Sequence, residues 1–144
     1  MDIPALPFLQ VPQFAQIPSQ PIENLKSIAE HLKKRRLELY LKQAEVAKDI
    51  GVSEDCITYW ENNRSQPQIK YYPKIIQFLG YNPFPVDEST LGGKIKKYRI
   101  EQGLSLKKLG KTLKVNISTV GAWESHEHIP NAKKLKILEQ LFKQ

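Results

Sequence analysis

Apolar positions along this chain recur at helical spacing in short stretches separated by one to a few polar or glycine residues. Ile28 and Leu32 lie one helical turn apart, with Lys33, Lys34 and Arg35 on a charged side, which predicts a first helix from Ile28 to about Leu39. Ser27-Ile28-Ala29-Glu30 supplies the S-x-x-E start, in which hydroxyl and carboxylate satisfy helix-start amides. Val46 and Ile50 share one face of the next segment, Gln43 to Ile50, and Ala47 between them lets another helix approach. Gly51 turns the chain. Ser53 is a suitable N-cap for a third helix that buries Ile57 and Trp60 and presents Glu54, Asp55, Thr58 and Tyr59 outward. Tyr72, Ile75, Ile76 and Leu79 at i, i+3, i+4 and i+7 predict a fourth helix over 71–79, closed by Gly80.

The whole pattern returns at an offset of 63 residues. Trp60 and Glu61 reappear as Trp123 and Glu124, Arg36 as Arg99, Leu41 as Leu104, Val52 as Val115, Ile57 as Val120 and Pro67 as Pro130. A period this long marks two complete units rather than the turns of a solenoid. The copied helices run from Leu91 to about Gln102, from Leu106 to Leu113, from Ile117 to Glu124 and from Ala132 to Phe142, with Thr90 and Asn116 as caps. Gly103 closes the first of these in a left-handed conformation, whereas the matching Tyr40 would be strained there or force a different turn. The expected fold class is all-α, with two tandem helix-turn-helix domains of about four helices each, at 27–80 and 90–144. Residues 81–89, with Pro83 and Pro85, form a short and fairly stiff connector.

Residues 1–26 break from the pattern. Prolines at 4, 7, 12, 18 and 21 exclude a helix interior, so this Pro-rich arm is expected to be extended or disordered. Leu6, Phe8, Leu9, Phe14 and Ile17 make it stickier than a plain linker. A tail draped on the body is the simple reading, and an arm that binds a protein partner or forms a dimer is the sharper one. The stretch from Ile3 to Ile22 is uncharged but interrupted by five prolines and four glutamines, which fits neither a signal peptide nor a membrane span. One cysteine among 144 residues closes no intramolecular disulfide, and no Cys/His quartet has zinc spacing, so a reduced, cytoplasmic setting is expected.

Charge adds a direction. The net charge is +7, but residues 27–88 carry nine basic and nine acidic residues, while 89–144 carry twelve basic and four acidic. The excess sits in the second unit, where clustered lysines favour a polyanion through counterion release.

The run Gln43-Ala44-Glu45-Val46-Ala47-Lys48-Asp49-Ile50-Gly51-Val52-Ser53, followed by Ile57 and Trp60-Glu61-Asn62, resembles the helix-turn-helix of the lambda repressor and Cro family, often called the XRE family. The resemblance covers residues 28–79 and, more loosely, 91–142. It implies two lambda-repressor-like domains that bind double-stranded DNA, in a bacterial or phage transcription regulator of the kind that usually works as a dimer. By the same resemblance Arg36 and Glu61, and their copies Arg99 and Glu124, are structural pairs between first and third helices. Gln43 at the start of the second helix would reach a phosphate; Leu106 stands in that place in the second unit and has no polar group to offer. Asn62 and Arg64, with Asn63 between them, would touch the backbone past the recognition helix. Apart from the resemblance, the basic cluster of the second unit makes Lys107, Lys108 and Lys111 candidates for its phosphates.

The base-reading positions implied are Glu54, Asp55, Thr58 and Tyr59 in the first unit and Ile117, Ser118, Gly121 and Ala122 in the second. Glu54 and Asp55 accept from cytosine amino groups but repel phosphates, so this helix reads a narrow sequence or no DNA. The small residues of the second set allow close backbone approach and offer few hydrogen bonds. The leading expectation is therefore a sequence-specific regulator, a repressor that blocks polymerase access, with recognition helices over 53–61 and 116–124. If both helices enter one face of a duplex, their sites lie about 34 Å apart; a homodimer on a palindromic site is the other arrangement. The rival is a protein-interaction adaptor or antitoxin-like module in which one unit no longer binds DNA, favoured by the neutral first unit and the apolar arm. His126-Glu127-His128 lacks a third ligand of suitable spacing, and Cys56 reads as a small half-buried residue. No nucleophile with its base, phosphate loop or paired-carboxylate site is present, so neither an enzyme nor a metal or cofactor is expected.

Overall fold

The computed structural model describes residues 27–143, so the expectations for the arm lie outside the described residues. These residues form eight α-helices and one short 3-10 turn, and the chain divides into two compact units between Pro83 and Phe84. None of the described helices is long and apolar enough to cross a membrane.

In the first unit, α1 (Ile28–Glu38), α2 (Gln43–Ile50), α3 (Glu54–Glu61) and α4 (Tyr72–Leu79) surround a core of Leu32, Val46, Ala47, Ile50, Ile57, Trp60, Ile75, Phe78 and Leu79. The fourth helix begins one residue later than its periodicity predicts, because Ile69–Tyr71 forms a 3-10 turn ahead of it. Phe78 takes a core place and Ile76 is only half-buried, a small rotation of that helix relative to the simple spacing. At α1 the amide of Glu30 donates to the Ser27 hydroxyl at 3.3 Å, while the Glu30 carboxylate accepts from that hydroxyl. A carboxylate returning to an N-cap amide is found instead at α2, where Lys42 N donates to Glu45 Oε1 at 2.9 Å.

Arg35 departs from the charged face expected of α1. It is 2% exposed, and its Nε donates to the Phe78 carbonyl at 3.3 Å, near the C-terminal end of α4 where a cation is favoured. His31, one turn earlier, is also buried and shares a 2.8 Å hydrogen bond with the Tyr81 hydroxyl. Tyr81 is thereby held to the first unit.

In the second unit, α5 (Leu91–Gln102), α6 (Leu106–Leu113), α7 (Ile117–Glu124) and α8 (Ala132–Phe142) enclose Ile95, Leu109, Leu113, Val120, Trp123 and Leu138. Thr90 caps α5 by accepting from Gly93 N at 3.0 Å, and Ser105 caps α6 by accepting from Lys108 N at 3.1 Å. Asn116 stands at the N-cap of α7, but its side chain makes no capping bond. Its backbone alone starts that helix. Lys134 Nζ donates to the Leu113 carbonyl at 2.6 Å and so tethers α8 to the end of α6.

The three turns of each unit repeat in backbone conformation. Tyr40 and Gly103 both take positive φ, 56° and 69°; so do Gly51 and Lys114, 90° and 59°, and Asn63 and His126, 58° and 69°. The same closing bonds recur, from Leu41 N to the Arg36 carbonyl and from Leu104 N to the Arg99 carbonyl. Tyr40 therefore accepts the left-handed conformation rather than changing the turn. It does so as a residue 93% exposed.

Candidate nucleic-acid interface

The clamp behind each third helix is built from the same atoms in both units. Arg36 donates from Nε to Glu61 Oε2 at 2.7 Å, from Nη2 to Oε1 at 2.9 Å and from Nη1 to the Leu41 carbonyl at 3.1 Å. Arg99 repeats this with Glu124 Oε2 at 2.7 Å, Glu124 Oε1 at 3.0 Å and the Leu104 carbonyl at 3.3 Å. A fork of this kind fixes both distance and rotation of the partner helix. The hydrogen bond with Glu61 is the main reason the Arg36 guanidinium holds its proton even more firmly than usual. Trp60 and Trp123 are buried beside these pairs, with the Trp60 ring tilted against Tyr71 at 5.8 Å.

With its inner side fixed, α3 turns Glu54 and Asp55 fully outward and leaves Tyr59 exposed. Ser53 starts the helix by accepting from Cys56 N at 3.4 Å, and Cys56 is half-buried. Thr58 differs from the outward placement expected of it. It is half-buried, and its hydroxyl donates to Gln43 Oε1 at 2.8 Å while lying 3.2 Å from the Glu54 carbonyl. Gln43 in turn donates from Nε2 to Glu61 Oε1 at 3.1 Å. One N–H of that amide remains for an outside acceptor. Gln43 is thus first a link from α2 to two residues of the third helix, Thr58 and Glu61, which no spacing rule across 15 residues reveals.

Asn62, Asn63 and Arg64 follow α3 as an exposed turn, in which Arg64 N donates to the Tyr59 carbonyl at 2.8 Å. In the second unit Ile117 and Ser118 are exposed at the start of α7, and Gly121 and Ala122 are half-buried. A Cβ added at Gly121 would meet no atom within 4 Å, so the middle of this helix face is open. Leu106 and Gly121 replace Gln43 and Thr58, so the second unit keeps the clamp without that side-chain link between its second and third helices. Lys107, Lys108 and Lys111 all lie exposed on α6, joined by Lys114 in the following turn. The corresponding residues of the first unit are Ala44, Glu45, Lys48 and Gly51. Where the second unit has four cations, the first has one cation and one carboxylate.

Two exposed apolar residues escaped the sequence reading, Leu37 on α1, which is 54% exposed, and Ile129. Ile129, in the loop after α7, is 81% exposed, and its only sequence signal is its place beside the buried Pro130.

A family model described as helix-turn-helix matches the chain twice, over residues 32–85 and 95–143. No curated protein and no solved structure matched in the parallel comparisons. Both matched segments contain the complete clamp, the tight turn and the helix it braces. The chain belongs to the XRE, or lambda repressor-like, helix-turn-helix family of DNA-binding regulators, with two tandem copies of the family's domain.

Proposed function

We propose that this protein is a sequence-specific double-stranded DNA-binding transcription regulator that acts as a repressor, seating α3 and α7 in the major groove and denying the site to polymerase. The observation that carries this reading is the repeated pair of short helices whose outer faces are uncovered while the inner faces are clamped by Arg36–Glu61 and Arg99–Glu124. A helix held this way fits the width of the major groove and keeps its side chains aimed at base edges. Glu54, Asp55, Thr58 and Tyr59 form the reading set of the first unit, and Ser118, Gly121 and Ala122 that of the second. Gln43, Asn62, Arg64, Lys107, Lys108 and Lys111 supply phosphate contacts. Two readers in one chain serve as a pseudo-dimer, or one reader per chain serves a homodimer.

Selection of bound duplexes from a random pool tests this directly. A defined sequence, retained against excess random duplex, is the expected result; its length and symmetry report whether one or two readers engage per chain. Binding that never enriches a sequence would overturn the regulator. One observation favours a second reading: Glu45, Glu54 and Asp55 all lie exposed on the first unit's α2–α3 face, a surface suited to a basic protein partner. That adaptor reading is supported if the isolated second unit binds duplex as tightly as the full chain.

A further inference from the structure

Thr58 occupies a central turn of the α3 face, yet its only hydroxyl hydrogen is already engaged. Oγ1 is 2.8 Å from Gln43 Oε1 and 3.2 Å from the Glu54 carbonyl, and both of those atoms are acceptors. A hydroxyl has one hydrogen to give. Gln43 is itself held by Glu61, and Glu61 by Arg36, so the chain Arg36–Glu61–Gln43–Thr58 ties the clamp to the middle of the reading helix by way of α2. The single Thr58 hydroxyl hydrogen has two acceptors within reach, the nearer on α2 and the farther on its own helix. With that hydrogen engaged the oxygen has nothing left to donate and keeps only acceptor lone pairs, and the apolar group that Thr58 can offer is its γ-methyl.

Building on the DNA-binding reading above, we infer that Thr58 is an apolar reader that recognises the C5-methyl of a thymine, with Gln43 as the positioning residue that fixes its rotamer. The thymine methyl is the one apolar group on the major-groove edge of an unmodified base, and a threonine methyl is a suitable partner for it. Neighbouring residues make the contact selective. Glu54 and Asp55 offer only acceptors when ionised, so they discriminate other bases by hydrogen bonding and leave thymine to Thr58. The second unit cannot make this contact at the matching place, because Gly121 has no side chain and Leu106 replaces Gln43.

The test uses the full chain and a duplex selected from a random pool, with each thymine replaced in turn by uracil, which removes the methyl alone. One position is expected to lose about fourfold in affinity, the value of one buried methyl group. Thr58→Ser keeps the hydroxyl bonds without the methyl and shows no such loss. Gln43→Ala frees the rotamer and shrinks the uracil effect while leaving Thr58 in place. Equal affinity for every uracil-substituted duplex overturns the assignment, as does a Thr58→Ser protein that still loses fourfold at the same position. Failure to select any sequence would instead remove the DNA-binding reading on which the assignment stands, so the two failures are distinguishable.

Discussion

Tyr40 and Lys114 hold backbone conformations that glycine holds without strain, while their repeat counterparts Gly103 and Gly51 are glycines. Each unit has thus kept glycine at a different one of two equivalent turns. A left-handed L-residue costs roughly 1 to 2 kcal/mol, against roughly 0.5 to 1 kcal/mol for the extra freedom glycine loses on folding. Tyr40→Gly should therefore stabilise the first unit by about 0.5 to 1 kcal/mol, and since the ring is almost wholly exposed no packing is lost. Gly51→Ala should destabilise it by about 1 kcal/mol through the backbone alone, because its new Cβ meets nothing within 4 Å. Thermal melts that move the two variants in the same direction would contradict the strain argument. His31 gives a second test. Burial, the main cause, and then Lys34 hold its pKa below 6.5, against an opposing pull from Glu30, and Tyr81 faces the ring. The unfolded chain then binds more protons than the folded one below about pH 6.5, so His31 makes stability fall as pH drops from 6.5 toward its lowered value. Melting of wild type and His31→Asn between pH 7.5 and 5.5 should show the steeper decline in wild type; parallel declines would mean that burial does not disfavour the imidazolium.

The helix-turn-helix element depends on its brace. Glu61 is 2% exposed at the side chain and Arg36 13%, so removing either partner strands a charge in a poorly hydrated place. Arg36→Met should cost about 3 to 5 kcal/mol, and the double replacement Arg36→Met with Glu61→Met should recover a good part of it. Arg99→Met belongs nearer the lower end, since both side chains of its pair are 12% exposed. Denaturant unfolding that finds less than about 1 kcal/mol for Arg36→Met would place the pair among ordinary surface bridges. The elements themselves were legible in the sequence because a doubled pattern checks itself: Trp60 and Trp123, with the apolar spacing around them, fix the same helices twice. What stayed hidden is what rotamers and distant partners decide. Helical spacing places Arg35 among solvated charges, whereas in the fold it is buried with its Nε on the carbonyl of Phe78, 43 residues on. In the same way Thr58 lies on the outer face by periodicity, yet its hydroxyl belongs to Gln43 on another helix. The candidate face was readable as a set of positions, while the side-chain chemistry offered at each position was not.

Across the whole chain, the two units repeat a backbone but not a surface. Residues 89–144 hold twelve basic and four acidic residues, whereas 27–88 balance nine against nine. The exposed lysines of α6, Lys107, Lys108 and Lys111, have Ala44, Glu45 and Lys48 as their counterparts, so the two units differ in charge at the helix that precedes the reader. Under the proposed function this divides the work, with discrimination weighted to the first unit and phosphate attraction to the second. Each lysine that neutralises one phosphate contributes about 0.9 to the slope of log affinity against log salt. Reversing Lys107 and Lys108 to Glu should therefore flatten that slope by about 2 while the preference for the selected sequence over random duplex persists. Replacing Glu54 and Asp55 with Ala should do the reverse, relaxing preference without lowering the slope, because carboxylates near a groove release no counterions and repel phosphates. Unchanged slopes in the lysine variant, or unchanged preference in the carboxylate variant, would show that the two units share both tasks, and the charge difference would then have no part in how DNA is read.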